Sequence, residues 1–145
     1  MSTGTKQDPW VLKTPPGVSE YTMYRDELAQ PPELVCQVGS TTLKYQLRVV
    51  EDLYAWLAQR GDWVLLGAAD EKQLATLGTV EAWGRSPENP IAGWYGLRKG
   101  YRGRVGMYLP PLLERLGLAE LTHDPRNNRM RAVSGSRVPD DLLVR

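Results

Sequence analysis

Leu34-Val35-Cys36-Gln37-Val38-Gly39-Ser40-Thr41-Thr42-Leu43-Lys44-Tyr45 is the stretch from which the fold is read. Two runs of strand-forming residues flank Gly39-Ser40. Glycine at the first central position suits a type II′ turn, whose twist matches that of paired antiparallel strands. The stretch therefore predicts a hairpin rather than a longer loop. Upstream, Trp10–Lys13 and Tyr21–Arg25 read as further strands around the turn Thr14-Pro15-Pro16-Gly17. Downstream, Leu47, Val50, Leu53, Tyr54 and Leu57 recur at three- and four-residue steps, which puts them on one face of a helix over 47–60. Gly61 supplies its stop. Antiparallel strands followed by a helix indicate an α+β domain.

The second half is less regular. Asp62–Leu66 reads as a short strand or extended segment, and Thr79 as the cap of a short helix reaching Trp83. A helix over 91–99 is weakened by Gly93 and Gly96. Pro110-Pro111 suit the first turn of a helix that begins near Leu109 and stops at Gly117. The runs 119–123 and 129–133 flank Asp124-Pro125-Arg126-Asn127-Asn128 and predict a C-terminal hairpin. The expected organisation is one small domain over 10–133, with a disordered start (1–9) and a loosely ordered tail (134–145). A chain of 145 residues is one domain's worth. Such a chain buries roughly two thirds of its unfolded surface, so no disulfide or metal is needed for stability.

Several chemistries are excluded or left without residues. One cysteine and one histidine cannot build a structural zinc site, which takes about four Cys/His ligands. No Gly-x-x-x-x-Gly-Lys-Ser/Thr loop and no Gly-x-Ser-x-Gly elbow is present. His123, beside a turn, reads as a surface histidine. No cofactor and no catalytic residue is assigned, and the balance leans away from an enzyme. The residue pattern still leaves open a small enzyme using Glu81 or Glu88, which lie near Trp83, Trp94 and Tyr95. No apolar run is long enough for a membrane span, and the first residues carry no apolar signal core. Cys36 in its apolar run reads as a buried thiol, which fits a cytoplasmic protein.

One stretch hints at a ligand. Residues 1–72 carry a net charge of −3 and residues 73–145 one of +4. Within the second part, Gly93 to Gly106 holds Arg98, Lys99, Arg102 and Arg104 among glycines and Tyr101, with no acid between Glu88 and Glu114. Glycines let a backbone approach an anion closely, arginines pair with phosphate, and a tyrosine ring stacks on a base. Arg126, Arg129 and Arg131 on the C-terminal hairpin add a second basic stretch. The function expected is a non-catalytic binding module for phosphate-bearing ligands, with nucleic acid or another polyanion as partner. The alternative is a protein-interaction or homo-oligomerisation module anchored by exposed aromatics.

Two resemblances bear on this. The helix ending Leu112-Leu113-Glu114-Arg115-Leu116, followed by the basic hairpin, resembles the helix and wing of winged helix-turn-helix domains over 107–133. In those domains the wing's basic tip touches backbone phosphates. This chain departs from the pattern, because its helix carries two prolines and few base-reading residues. Over 9–133 the chain also resembles a bacterial family of small proteins of unknown function. The strings that carry the likeness are Trp10–Gly17, Ser19–Asp26, Glu81–Pro90, Gly93–Gly96, Gly106–Pro111 and Pro125–Arg131. This second resemblance implies a bacterial cytoplasmic source and no activity.

Overall fold

The computed structural model describes residues 3–67, 69, 72–96 and 103–144. Strands β1 (Trp10–Lys13), β2 (Glu20–Asp26), β3 (Glu33–Val38) and β4 (Thr41–Gln46) form an antiparallel sheet in that order. Val38 pairs with Thr41, so Gly39 and Ser40 alone make the central turn, with Gly39 at φ +58°. Alternate residues point into the core: Trp10 and Leu12 on β1, Tyr21 and Met23 on β2, Leu43 and Tyr45 on β4. Helix α1 (Val49–Arg60) buries Val49, Val50, Leu53 and Leu57, and ends where the Gly61 N–H bonds the Leu57 carbonyl. This is the α+β domain that the hairpin and the helical period predict.

A second antiparallel sheet comes from the rest of the chain. Strands β5 (Val64–Leu65), β6 (Ala119–Leu121) and β7 (Arg129–Ala132) lie in the order β5-β7-β6. The expected C-terminal hairpin is β6–β7, in the register Glu120 opposite Arg131. Helix α3 (Val105–Arg115) packs on β6, β1 and α1, so the two sheets share one core.

Residues 3–9 and 134–144 make contacts with the rest of the domain. Asp8 Oδ2 accepts from the Thr3 N–H at 2.9 Å, and Gly4 lies against Trp10 at φ +77°. A Cβ at position 4 would sit 2.1 Å from that indole, so only glycine fits. In the tail, Val138 and Leu142 are buried, and the Tyr54 hydroxyl donates to the Ser136 carbonyl at 2.6 Å.

Two expectations are corrected. The stretch 91–96 is not helical, because the buried Asn89 side chain holds it as a loop. Asn89 Oδ1 accepts from the Ile91 and Gly93 N–H groups, and Nδ2 donates to the Trp83 and Gly93 carbonyls. The remainder of that expected helix, 97–99, lies outside the described residues. Helix α3 starts at Val105 rather than near Leu109, which places Pro110 and Pro111 inside it. A proline there lacks the N–H that the carbonyl four residues earlier needs, so Gly106 and Met107 lose those partners. One residue further on, the Tyr21 hydroxyl donates to the Tyr108 carbonyl at 2.7 Å.

The early start of α3 depends on Glu81, in the short helix α2 (Val80–Trp83). Glu81 is fully buried. Its Oε1 accepts from the Gly106 N–H at 2.9 Å, in the first turn of α3. Its Oε2 is 3.0 Å from Arg85, whose guanidinium also donates to the Ala69 and Gln73 carbonyls and lies 4.7 Å over the Trp94 ring. A carboxylate at a helix N-terminus offsets the partial positive charge there. Burial pushes the Glu81 carboxyl up, while the Gly106 N–H and Arg85 pull it back.

Removing one member of a buried, bonded ion pair leaves the other charge uncompensated. Glu81→Ala is therefore expected to lower unfolding free energy by about 3–5 kcal/mol in urea titrations. Glu81→Gln, which keeps an acceptor for Gly106, is expected to lose less. Equal stability of Glu81→Ala and wild type would contradict this assignment.

Candidate functional site

The expected binding residues fall into three groups. Arg98, Lys99, Tyr101 and Arg102 lie outside the described residues. Arg104 precedes α3 in a left-handed conformation (φ +65°). Its N–H donates to the Ala69 carbonyl at 2.9 Å, and its Nη1 lies 4.0 Å from Met107 Sδ. Arg126, Arg129 and Arg131 belong to the β6–β7 hairpin. Arg126 and Arg129 are exposed and form no ion pair among the described residues. Arg131 is paired with Glu120 at 3.0 Å and stacked 4.5 Å over the Trp63 ring.

Tyr45 positions both flanks of the 97–102 stretch. This fully buried residue pairs through its backbone with Gly96, and its hydroxyl donates to the Gly103 carbonyl at 2.7 Å. The neighbouring Gln46 N–H bonds the Tyr95 carbonyl. The chain then passes from Gly103 through Arg104 into the first turn of α3.

That first turn forms one wall of a cleft of about 380 Å³. Gly106 and Met107 stand on this wall, Pro15 and Pro16 of the β1–β2 turn on another. Leu65 to Gly67 form the base, and Pro125 to Asn128 of the hairpin turn close the cleft. Among the described lining residues there is no carboxylate, and Arg126 is their cation. The turn is rigidly built. Asn128 Oδ1 accepts from the Asp124 N–H at 2.7 Å, and Asn128 Nδ2 donates back to the Asp124 carbonyl. Asn127 takes the left-handed conformation (φ +55°) that asparagine tolerates. The Gly106 N–H is already held by Glu81, so the end of α3 shapes the cleft without offering that donor to a ligand.

Two other concavities differ in charge. A groove of about 690 Å³ between α1 and residues 77–90 carries Asp52 and Glu88. Its aromatics are stacked on one another: Trp56 on Trp83 (5.6 Å) and Trp83 on Tyr95 (5.2 Å), with Arg60 over Trp56. Glu88 is exposed in this groove. Glu81 is not among its lining residues, and both Glu81 oxygens are bonded elsewhere. A third hollow holds Glu20 and Glu114 beside Lys13, Arg115 and His123.

Pro15, Pro16, Leu65, Met107 and Asn127 were not singled out by sequence reasoning, because five separate segments supply the cleft. The signal available in the sequence was Asn127-Asn128 after Arg126, a turn that tolerates positive φ. Among the described residues, no group of three His, Cys, Asp or Glu is placed to hold a metal, and no helix is long and apolar enough to cross a membrane.

A family of unknown function (DUF6855) matches residues 2–133, nearly the whole chain. The chain belongs to that family. The match spans every element described above except the tail that docks through Val138 and Leu142. No curated protein and no solved structure matches the chain. In this family member, then, the cleft and the charges around it are the guide to function.

His123, in the third hollow, is a titratable group that contacts the cleft residue Pro15. Its Nδ1 lies 3.0 Å from the Pro15 carbonyl and its Nε2 2.7 Å from Glu114 Oε2. Both partners accept only, so the doubly protonated ring, which donates from both nitrogens, satisfies them best. The Glu114 bond raises the His123 pKa, partial burial opposes the rise, and Pro15 and the nearby charges of Glu114 and Asp124 add to it. A raised folded value means this stabilisation is complete below the ordinary pKa of about 6.5 and is lost as pH rises through the folded value. The imidazole should titrate above a model peptide in NMR. In urea titrations across that window, His123→Gln should flatten the pH dependence. An unshifted titration would contradict the double contact.

Proposed function

We propose that this chain is a non-catalytic binding module for phosphate-bearing ligands. The ligand is held at the cleft between the first turn of α3 and the β6–β7 turn. The observation that carries the reading is the charge of that cleft. Among the described residues its lining includes Arg126 and no carboxylate, while the neighbouring groove and hollow both carry acids. Phosphate binds where a cation faces it and no like charge repels it. In sequence, the basic stretch 98–104 leads directly into α3, whose Gly106 and Met107 stand on the cleft wall. Arg129 extends the basic edge, whereas Arg131 contributes little because Glu120 neutralises it. A helix laid in a nucleic-acid groove is not part of the reading, since α3 buries eight of its eleven residues. A bacterial cytoplasmic setting goes with the proposal, supported by the buried, unpaired Cys36.

The test is binding of inorganic pyrophosphate and of a short single-stranded DNA in about 50 mM salt, followed by a salt series. Affinity for the DNA should fall linearly on a log–log plot, and Arg126→Ala should reduce the slope by about 1. The triple variant Arg98→Ala, Lys99→Ala, Arg102→Ala should abolish DNA binding with a nearly unchanged melting temperature. No binding of either probe would overturn the proposal.

A second reading, an interaction surface for another protein chain, is favoured by Leu74 and Leu77. These side chains are 99% and 92% exposed and lie close together in sequence. A defined oligomer in light scattering that dissociates in Leu74→Ser, Leu77→Ser would support it, and a monomer across the accessible concentration range would count against self-association.

A further inference from the structure

From the composition of the same cleft we infer its ligand class: a nucleoside monophosphate, one nucleotide unit rather than a duplex or a bare phosphate. This rests on the proposed anion-binding reading and narrows it. Three observations lead there. The first is size. A volume of about 380 Å³ falls in the range of small-molecule sites, and it is too small for the long track of phosphates a duplex presents. The second is the wall chemistry. Pro16, Leu65 and Met107 are partly or fully exposed and offer apolar surface to a flat ring, where a site for free phosphate would be polar throughout. The third is where the polar groups stand. Arg126 faces the cleft unpaired among the described residues, and Asn127 is held beside it by the turn. A guanidinium suits a phosphomonoester, and a carboxamide suits the donor and acceptor edge of a base.

Three further described cations are engaged elsewhere. Arg115 donates to the Val11 carbonyl, Arg137 pairs with Asp140, and Arg25 pairs with Glu27 and Asp141. A duplex is bound chiefly by rows of such cations on consecutive phosphates, whereas a single nucleotide needs one. Apolar contact with the base and charge contact with the phosphate then act together in one enclosure.

Calorimetric titration of the full chain with AMP, adenosine, inorganic phosphate, glucose 6-phosphate and a DNA duplex tests the assignment. AMP is expected to bind at least about tenfold more tightly than adenosine, phosphate or the sugar phosphate. Arg126→Ala should bring AMP down to the level of adenosine. Met107→Ala or, should that variant melt early, Leu65→Ala should bring AMP toward the level of phosphate. Equal binding of AMP and phosphate, or of AMP and glucose 6-phosphate, overturns the nucleotide assignment and leaves the anion-binding reading standing. Binding of duplex without AMP does the same. Failure of every phosphate-bearing probe overturns both.

Discussion

A carboxylate with no exposure to water has to be satisfied inside the protein, and Glu81 is satisfied by three separate parts of the chain. The Gly106 N–H, the Arg85 guanidinium and the Ala69 backbone all converge on it. Burying a charge is costly unless it is paired and bonded, so these segments cannot move independently once the core has closed. The position of α3 follows from this. Gly106 is drawn to Glu81, the helix begins five residues ahead of its first proline, and Leu109, Leu112 and Leu113 enter the shared core.

The cleft inherits its shape from the same constraint. Gly106 carries the Glu81 bond on its N–H and stands on the cleft wall, with Met107 next to it. On the facing side, Asn128 closes the hairpin turn through three hydrogen bonds, to the Asp124 N–H, the Asp124 carbonyl and the Thr122 hydroxyl. His123, two residues before Pro125, reaches the Pro15 carbonyl and so joins the hairpin end to the β1–β2 turn. Tyr45 fixes the flanks of the basic loop from the other sheet. The walls are thus preorganised by bonds that a ligand does not have to form, which limits the ordering cost of binding.

Legibility from sequence tracked the range of the interactions. The β3–β4 hairpin, the α1 period and its Gly61 stop, the Thr79 cap and the β6–β7 hairpin all depend on neighbours within a few residues, and each was readable. The start of α3 was not, because Gly106 is fixed by Glu81, twenty-five positions earlier, and prolines alone suggest a later first turn. The contacts at the two ends are likewise long-range: Gly4 is held by Trp10 and the β2 backbone, and Ser136 by Tyr54. In the candidate site the cations were visible as residue types. Their pairing was not, and the difference between Arg126, without an ion-pair partner among the described residues, and Arg131 on Glu120 is a property of strand register. Glu81 itself carried a usable signal, the four-residue spacing to Arg85 that places both on one helical face. Its burial was the part hidden from the sequence.

The most direct test of Glu81 as the fixed point of this architecture is amide hydrogen exchange at Gly106. If the Glu81 carboxylate holds that N–H in the interior, its exchange in the wild type should require global unfolding, and its protection should match that of the central α3 amides such as Leu112 and Leu113. Exchange at the rate of an open helix end, far faster than those amides, would show that α3 is not anchored there and that the cleft wall built on it is not fixed.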